Sequence, residues 1–200
     1  MLRSVKRLRG QPIVAVDGAL GFIVDVYFDD RSWKVRYVVL DTGRPMPQRQ
    51  VLVSPSYVVP AQDERIHVRL TRKELERCPE LDEDRPVFLQ HDMASIHAPG
   101  DPHLRSADVV MGFAMHGPPG RAGHLKDILV DSRDWTVKSF VVDTGVWLPG
   151  RRSLVAPEDV EGLDWIERAI ELRITTLMPN SAQQGGAEDG AVDRLGDKRG

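Results

Sequence analysis

The stretch Asp29-Asp30-Arg31-Ser32-Trp33-Lys34-Val35 recurs 102 residues later. So does the segment that follows it, Val38-Val39-Leu40-Asp41-Thr42-Gly43, with small changes. The second copy reads Asp131-Ser132-Arg133-Asp134-Trp135-Thr136-Val137 and then Phe140-Val141-Val142-Asp143-Thr144-Gly145. The same offset aligns Leu2-Arg3-Ser4 with Leu104-Arg105-Ser106 and continues without a gap to Val58 and Val160. About twenty of the 57 paired positions are identical, which indicates an internal duplication. The sequence therefore predicts two units of about 100 residues that are built alike.

The composition is that of a soluble globular protein, with 41% hydrophobic and 28% charged residues. The longest apolar runs fall short of the ~18 residues that span a bilayer. The basic N-terminus lacks the apolar segment of a signal peptide, and Cys78 is the single cysteine. We therefore expect a cytoplasmic protein. The first 77 residues hold 14 Lys and Arg against 9 Asp and Glu, and the other 123 hold 13 against 21.

Short segments rich in β-branched residues, separated by turn residues, predict strands rather than alternating strands and helices. In the first copy these segments are 12–16, 21–29, 33–41, 51–53 and 65–70. Broken alternation predicts a β-bulge near Asp25 and near Asp127. Thr71 and Glu74 have the spacing of a capping box, which predicts a short helix that ends before Pro79.

The predicted fold class is mainly β: two tandem small antiparallel β-barrels, with a short helix after the first and a disordered C-terminal tail. The predicted boundaries are 2–79 for the first domain, 80–103 for the linker, 104–178 for the second domain and 179–200 for the tail. The linker is rich in proline, and the tail carries few large apolar side chains.

Two Asp-Thr-Gly motifs, at Asp41 and Asp143, are the main candidates for catalysis, because a duplicated aspartic protease pairs two such carboxylates. The alternative is a turn, in which Asp caps the chain reversal and Gly43 or Gly145 supplies a positive φ. The residues after each glycine and the missing glycine-rich flap favour the turn. The spacing of the six histidines matches no metal-binding motif. We predict that the protein is not an enzyme and that it has no cofactor and no metal site.

The sequence resembles the PRC-barrel family, named after the H subunit of the photosynthetic reaction centre. The resemblance rests on Gly21, Asp25, Asp29 and Trp33, on the Val-Val-x-Asp-Thr-Gly segment, and on Pro47, Leu52-Val53 and Pro55. All are repeated in the second copy, except that Phe140 replaces Val38. The motif residues that the resemblance marks as structural are Gly21, Asp25, Trp33, Asp41, Gly43, Gly123, Asp127, Trp135, Asp143 and Gly145. It implies two small β-barrels that bind other proteins, as family members from bacteria do.

The predicted function is a non-catalytic binding or assembly module with a protein partner or self-association. A ribosome- or RNA-maturation factor and peripheral association with a membrane complex stay open as alternatives, and the protease is a third. The predicted partner surface is the loop in which the copies diverge, formed by Val146, Trp147, Leu148, Arg151 and Arg152. Trp and Arg are the side chains that most often anchor interfaces.

Overall fold

The computed structural model describes residues 1–43, 49–59, 65–80, 101–118, 120–144, 152–173 and 178–179. Within these ranges the chain is mainly β, with two mixed sheets and α-helices of a single turn. The mainly β fold class is therefore confirmed. None of the helices in the described ranges combines the length and apolar character needed to cross a bilayer.

The first sheet is formed mainly by the first repeat. After strand β1 (Leu2–Ser4) and helix α1 (Val5–Leu8) come β2 (Pro12–Ala15), β3 (Gly18–Asp29), β4 (Val35–Asp41), β5 (Gln50–Val53), β6 (Val58–Val59) and β7 (Ile66–Val68). The order across the sheet is β5-β4-β3-β2-β7-β6. Helix α2 (Arg72–Leu75) follows, and the capping box between Thr71 and Glu74 is present as predicted.

The second sheet repeats this arrangement. Its elements are β8 (Leu104–Ser106), α3 (Ala107–Val110), β9 (Ala114–Gly117), β10 (Gly120–Asp131), β11 (Thr136–Asp143), β12 (Arg152–Val155), β13 (Val160–Asp164), β14 (Ala169–Leu172) and β15 (Met178–Pro179). The order is β13-β14-β9-β10-β11-β12-β15. A 3₁₀ turn precedes β6 and another precedes β13, at Pro55–Tyr57 and Pro157–Asp159.

The sheets differ from the predicted antiparallel barrels in two respects. Each contains one parallel pair, β2 with β7 and β9 with β14, because β7 and β14, the last strands before the end of each repeat's core, lie beside β2 and β9 and run in the same direction. Among the described residues, the strands of each sheet form an open path rather than a closed ring. The two predicted bulges are confirmed as register shifts between Ile23 and Asp25 and between Leu125 and Asp127.

The leading strand of each repeat pairs with the sheet of the other repeat. Strand β1 is antiparallel to β10, with Leu2 opposite Asp131, and β8 is antiparallel to β3, with Leu104 opposite Asp29. The two pairings are related by the offset of 102, so the exchange is reciprocal. The predicted domain limits assigned β1 to the first unit alone. The pairing shows that β1 completes the second sheet, and independent folding of 2–79 and 104–178 stays a prediction.

The repeats also share one hydrophobic core. A single cluster of buried side chains includes Val5 and Leu8 of α1, Phe28 of β3, Val110 of α3 and Phe140 of β11. Helix α1 packs mainly against β10 of the other repeat. Val5 and Leu8 are each 1% exposed, and full burial of such side chains stabilises a fold by roughly 1.5–3 kcal/mol each.

Candidate interaction surface

The contact between the two repeats is the best-defined polar arrangement in the described part of the chain. Its centre on the first sheet is Asp25, which follows the bulge in β3. The Asp25 carboxylate accepts a hydrogen bond from Ser106 Oγ at 2.5 Å and from the backbone N–H of Asp108 at 3.0 Å. It also accepts one from the N–H of Val26 at 2.7 Å. Ser106 and Asp108 belong to the other repeat, so Asp25 fixes β8 and α3 to the first sheet.

The equivalent arrangement joins β1 and α1 to the second sheet. Asp127 accepts hydrogen bonds from Ser4 Oγ and from the N–H of Lys6 at 3.0 Å. It also accepts one from the N–H of Ile128 at 2.8 Å. Ser4 corresponds to Ser106 and Lys6 to Asp108, so each contact of Asp25 has a counterpart at the offset of 102.

The two serines have a double role, because each also caps its own helix. Ser4 Oγ accepts from the N–H of Arg7 at 3.1 Å, and Ser106 Oγ accepts from the N–H of Val109 at 3.2 Å. A hydroxyl can donate one bond while it accepts another. One short side chain therefore starts the helix and ties it to the aspartate of the other repeat.

The environments of the two aspartates differ. Asp25 is 9% exposed, and burial raises its pKa to about 6, against the opposing effect of the hydrogen bonds from Ser106 and from two backbone N–H groups. Burial, followed by the nearby charge of Asp25, also raises the pKa of Tyr27. Asp127 is half-buried. The first-sheet contact is thus the drier of the two.

A short backbone ladder lies where the two repeats meet. Lys34 and Thr136 are directly paired in an antiparallel bridge. On either side, the N–H of Val35 donates to the carbonyl of Trp135, and the N–H of Val137 donates to the carbonyl of Trp33, both at 2.7 Å. Each bond maps onto the other at the offset of 102. An approximate twofold axis therefore passes between Lys34 and Thr136.

The two tryptophans of the repeated motif flank this ladder. Both have left-handed backbone angles, with φ of 56° at Trp33 and 52° at Trp135, a conformation that is uncommon for bulky residues. The Trp33 ring lies 6.1 Å from Phe28 and 5.4 Å, edge to face, from Phe140 of the other repeat. The structure thus places Trp33 at the contact between the repeats.

One part of the contact is not repeated. Asp30 accepts a hydrogen bond from Arg105 Nε at 2.5 Å, and His103 Nδ1 lies 2.9 Å from its other oxygen. The Arg105 guanidinium also lies 5.1 Å from the ring centroid of Trp165. Asp30 corresponds to Ser132, so the second sheet has no carboxylate at the equivalent position. Within the described ranges, we find no group of three acidic, histidine or cysteine side chains that could hold a metal ion.

The Asp-Thr-Gly motif of the first repeat forms a turn. Asp41 Oδ1 accepts a hydrogen bond from the N–H of Gly43 at 2.9 Å, and Gly43 has a φ of 62°. A Cβ atom on Gly21 would lie 1.7 Å from the carbonyl oxygen of Asp41, and one on Gly123 would lie 2.3 Å from that of Asp143. The paired glycines are therefore required because β3 and β10 approach their neighbouring strands at these points.

The predicted partner loop is mostly outside the described residues. Val146, Trp147, Leu148 and Arg151 lie there, as does the structural Gly145. Arg152 is described: it is exposed at the start of β12, opposite Asp143 of β11.

The outer faces of the two sheets are covered to different extents. In the first, Tyr27, Val39, Leu52 and Leu104 form a separate apolar cluster, each at most 2% exposed. In the second, the equivalent of Leu104 is Leu2, which is 54% exposed. The leucine at this repeated position is therefore buried on the first sheet and exposed on the second.

Sequence reasoning did not identify Ser4 and Ser106 as functional residues. The available signal was the identity of Leu-Arg-Ser in both copies, at the same distance from an aspartate that follows a bulge. The pattern carries no indication of which sheet the segment joins, because either sheet offers the same aspartate.

Residues 2–75 match the family model of the PRC-barrel domain. The matched range covers β1 to α2, which is the whole first repeat as described. The comparison with curated proteins found no match. The first repeat is thus rich in β-structure and similar to the PRC-barrel domain.

Proposed function

We propose that this chain is a non-catalytic protein-binding module made of two PRC-barrel repeats. The observation that supports it best is the use of the repeated polar residues. Asp25, Asp127 and their serine partners join the repeats, and Asp41 forms a turn. The side chains kept in both copies thus have structural tasks in the described part of the chain.

The second repeat has the features of the matched one. Its strands, its bulge and its leading strand-helix segment recur at the offset of 102, from β8 to β12. Its reciprocal contact with the first repeat, through Asp127 and Ser4, is of the same kind. These correspondences support the assignment of 104–178 to the same family.

The geometry of the strands argues against an aspartic protease. Strands β4 and β11 lead away from the Lys34–Thr136 bridge in opposite directions, and Asp41 and Asp143 each lie seven residues beyond it. At about 3.3 Å per residue, fourteen residues place the two aspartates up to about 46 Å apart along the strands. Two aspartates that share a proton must be in contact. Asp41→Asn and Asp143→Asn should therefore leave any activity of the preparation unchanged, and a hydrolytic activity that both variants abolish would contradict a non-catalytic role.

We place the partner-binding segment at 146–152. There Trp147 replaces Pro45 of the first repeat, and Arg151 corresponds to Arg49. The exposed position of Arg152, the one described residue of this segment, supports the placement. Loops on a rigid scaffold are where binding residues concentrate.

Capture from a native lysate, with and without nuclease, tests the proposal. A protein partner should survive the nuclease and should be lost with Trp147→Ala, while the melting temperature changes little. The matched control is Tyr57→Ala, which removes an exposed aromatic residue of the first repeat and should keep the partner. Capture that depends on nucleic acid would favour the RNA-associated alternative, and equal loss in both variants would contradict the placement at 146–152.

A further inference from the structure

The contact between the repeats is self-complementary. The central bonds of the interface recur at the offset of 102: Ser4 to Asp127 matches Ser106 to Asp25, and the bond from Val35 matches the bond from Val137. The contacts of Asp30 with Arg105 and His103 are the unrepeated addition described above. An interface of this kind is isologous, because both partners use the same patch of surface. Two repeats meet in this chain as two subunits meet in a symmetric dimer.

Each sheet is incomplete without the strand that the other repeat supplies. Near its C-terminal end, β3 pairs with β4 along one edge and with β8 along the other. In the same way, β10 pairs with β11 along one edge and with β1 along the other. Without these strands, both edges would present unpaired N–H and C=O groups beside an aspartate that lacks its serine. Unpaired edges of this type accept a strand from another chain.

Chain connectivity does not dictate which copy supplies that strand. Twenty residues join Glu80 to Asp101, and at about 3.3 Å each they could extend to about 66 Å. A repeat from a second molecule would present the same serine, strand and helix. The choice between the two pairings is then set by concentration rather than by the contacts.

We propose that the surface joining the two repeats also binds a repeat of a second copy of this chain. In the resulting dimer, the first repeat of each chain pairs with the second repeat of the other. Every bond between repeats in the single chain is retained in the dimer. The balance between monomer and dimer is therefore set by the concentration of chains relative to the effective concentration of one repeat around the other repeat of its own chain. For a flexible connection this is on the order of 1 mM. The residues that form this surface are not those of 146–152, so the test below is independent of the proposed function.

Lys34 and Thr136 give a direct test, because they form a non-hydrogen-bonded pair whose Cβ atoms lie about 4.5–5.5 Å apart. A chain with Lys34→Cys is mixed with a chain with Thr136→Cys, both in a Cys78→Ser background. The mixture is unfolded in urea, refolded at about 10 µM or about 500 µM, and oxidised. Pairing between chains should give a disulfide-linked dimer whose share of the chains is roughly twenty-fold larger at the higher concentration, which is already about half of the effective concentration.

Two controls make the result decisive. Both cysteines on one chain should give an oxidised monomer, which verifies the geometry of the pair. Lys34→Cys mixed with Glu158→Cys, which is exposed in the second repeat, should give only background cross-linking. Light scattering on the unaltered chain should show the same dimer without any introduced cysteine after refolding at about 500 µM, and mainly monomer after refolding at about 10 µM. Monomer alone at 500 µM by light scattering, with cross-linking no higher than in the Glu158→Cys control, would overturn the proposal.

Discussion

Replacement of Asp25 by Asn should remove a defined part of the pH dependence of stability. The substitution keeps the shape of the side chain and its place at the contact between repeats. Oδ1 of Asn can accept from the N–H groups of Val26 and Asp108, and Nδ2 can donate to Ser106 Oγ, which then acts as the acceptor. The variant therefore changes the titration of the site more than its packing.

The magnitude follows from the raised pKa of Asp25. Its pKa is about 6 in the folded chain and 3.8 as an ordinary value, with burial as the largest cause and the charge of Asp108 as a smaller one. At about 1.4 kcal/mol for each pKa unit, the difference corresponds to about 3 kcal/mol. The folded state holds this proton more tightly than the unfolded chain does. The contribution of Asp25 to stability is therefore fully present below about pH 4 and is lost as the pH rises through about 6.

Urea titrations followed by circular dichroism at several pH values between about 4 and 7.5 provide the measurement. The free energy of unfolding of Asp25→Asn, minus that of the unaltered chain, should rise by about 3 kcal/mol across this range. Asp127→Asn, the same change at the equivalent position of the second repeat, supplies the baseline for loss of a carboxylate at the contact. A difference for Asp25→Asn that stays constant to within about 1 kcal/mol would refute the reasoning.

Three further predictions concern the elements that hold the repeats together. Gly21→Ala should prevent folding or destabilise the chain by more than about 3 kcal/mol, because its Cβ would overlap the Asp41 carbonyl; Gly10→Ala, also at positive φ but in open space, should lose only about 1 kcal/mol in the same denaturant titration. Trp33→Ala should destabilise by about 2–3 kcal/mol, less than a fully buried tryptophan, and a loss below about 1 kcal/mol would contradict its contact with the other repeat. Fragments 1–80 and 101–179 should each melt cooperatively only when mixed or self-associated, because each sheet takes a strand from the other repeat. A cooperative melt of either fragment as a monomer, checked by sedimentation, would instead support the independent domains predicted from the sequence.

Much of the fold follows from local features of the sequence. The five strands predicted in the first copy are present, with ends within a few residues of those predicted, because β-branched residues and turn residues act on neighbouring parts of the chain. Thr71 and Glu74 determine the helix start through bonds between residues three apart. The bulges at Asp25 and Asp127 were predictable for the same reason, since a break in alternation is itself a local property.

The strand and helix that begin each repeat, β1 with α1 and β8 with α3, were not predicted from the sequence. The strand in Leu2–Ser4 has three residues and α1 has four, and elements this short form only when a tertiary partner satisfies them. Ser4 and Ser106 begin helices whose stability comes from the aspartate and the core of the other repeat. Propensity alone gives no signal for such elements.

What the sequence by itself determined is the duplication, the mainly β character and the residues that both copies keep. Only the tertiary structure decided whether a repeated residue contacts its partner in the same repeat or in the other repeat. Ser4 lies twenty-one residues before Asp25 along the chain, yet its hydroxyl binds Asp127, and Ser106 binds Asp25. Two identical sets of local signals cannot distinguish a contact within a repeat from the same contact between repeats. Whether the serine binds the aspartate of its own or of the other repeat depends on the direction of the chain after β1 and β8. That direction is set by packing across the approximate twofold axis at Lys34 and Thr136.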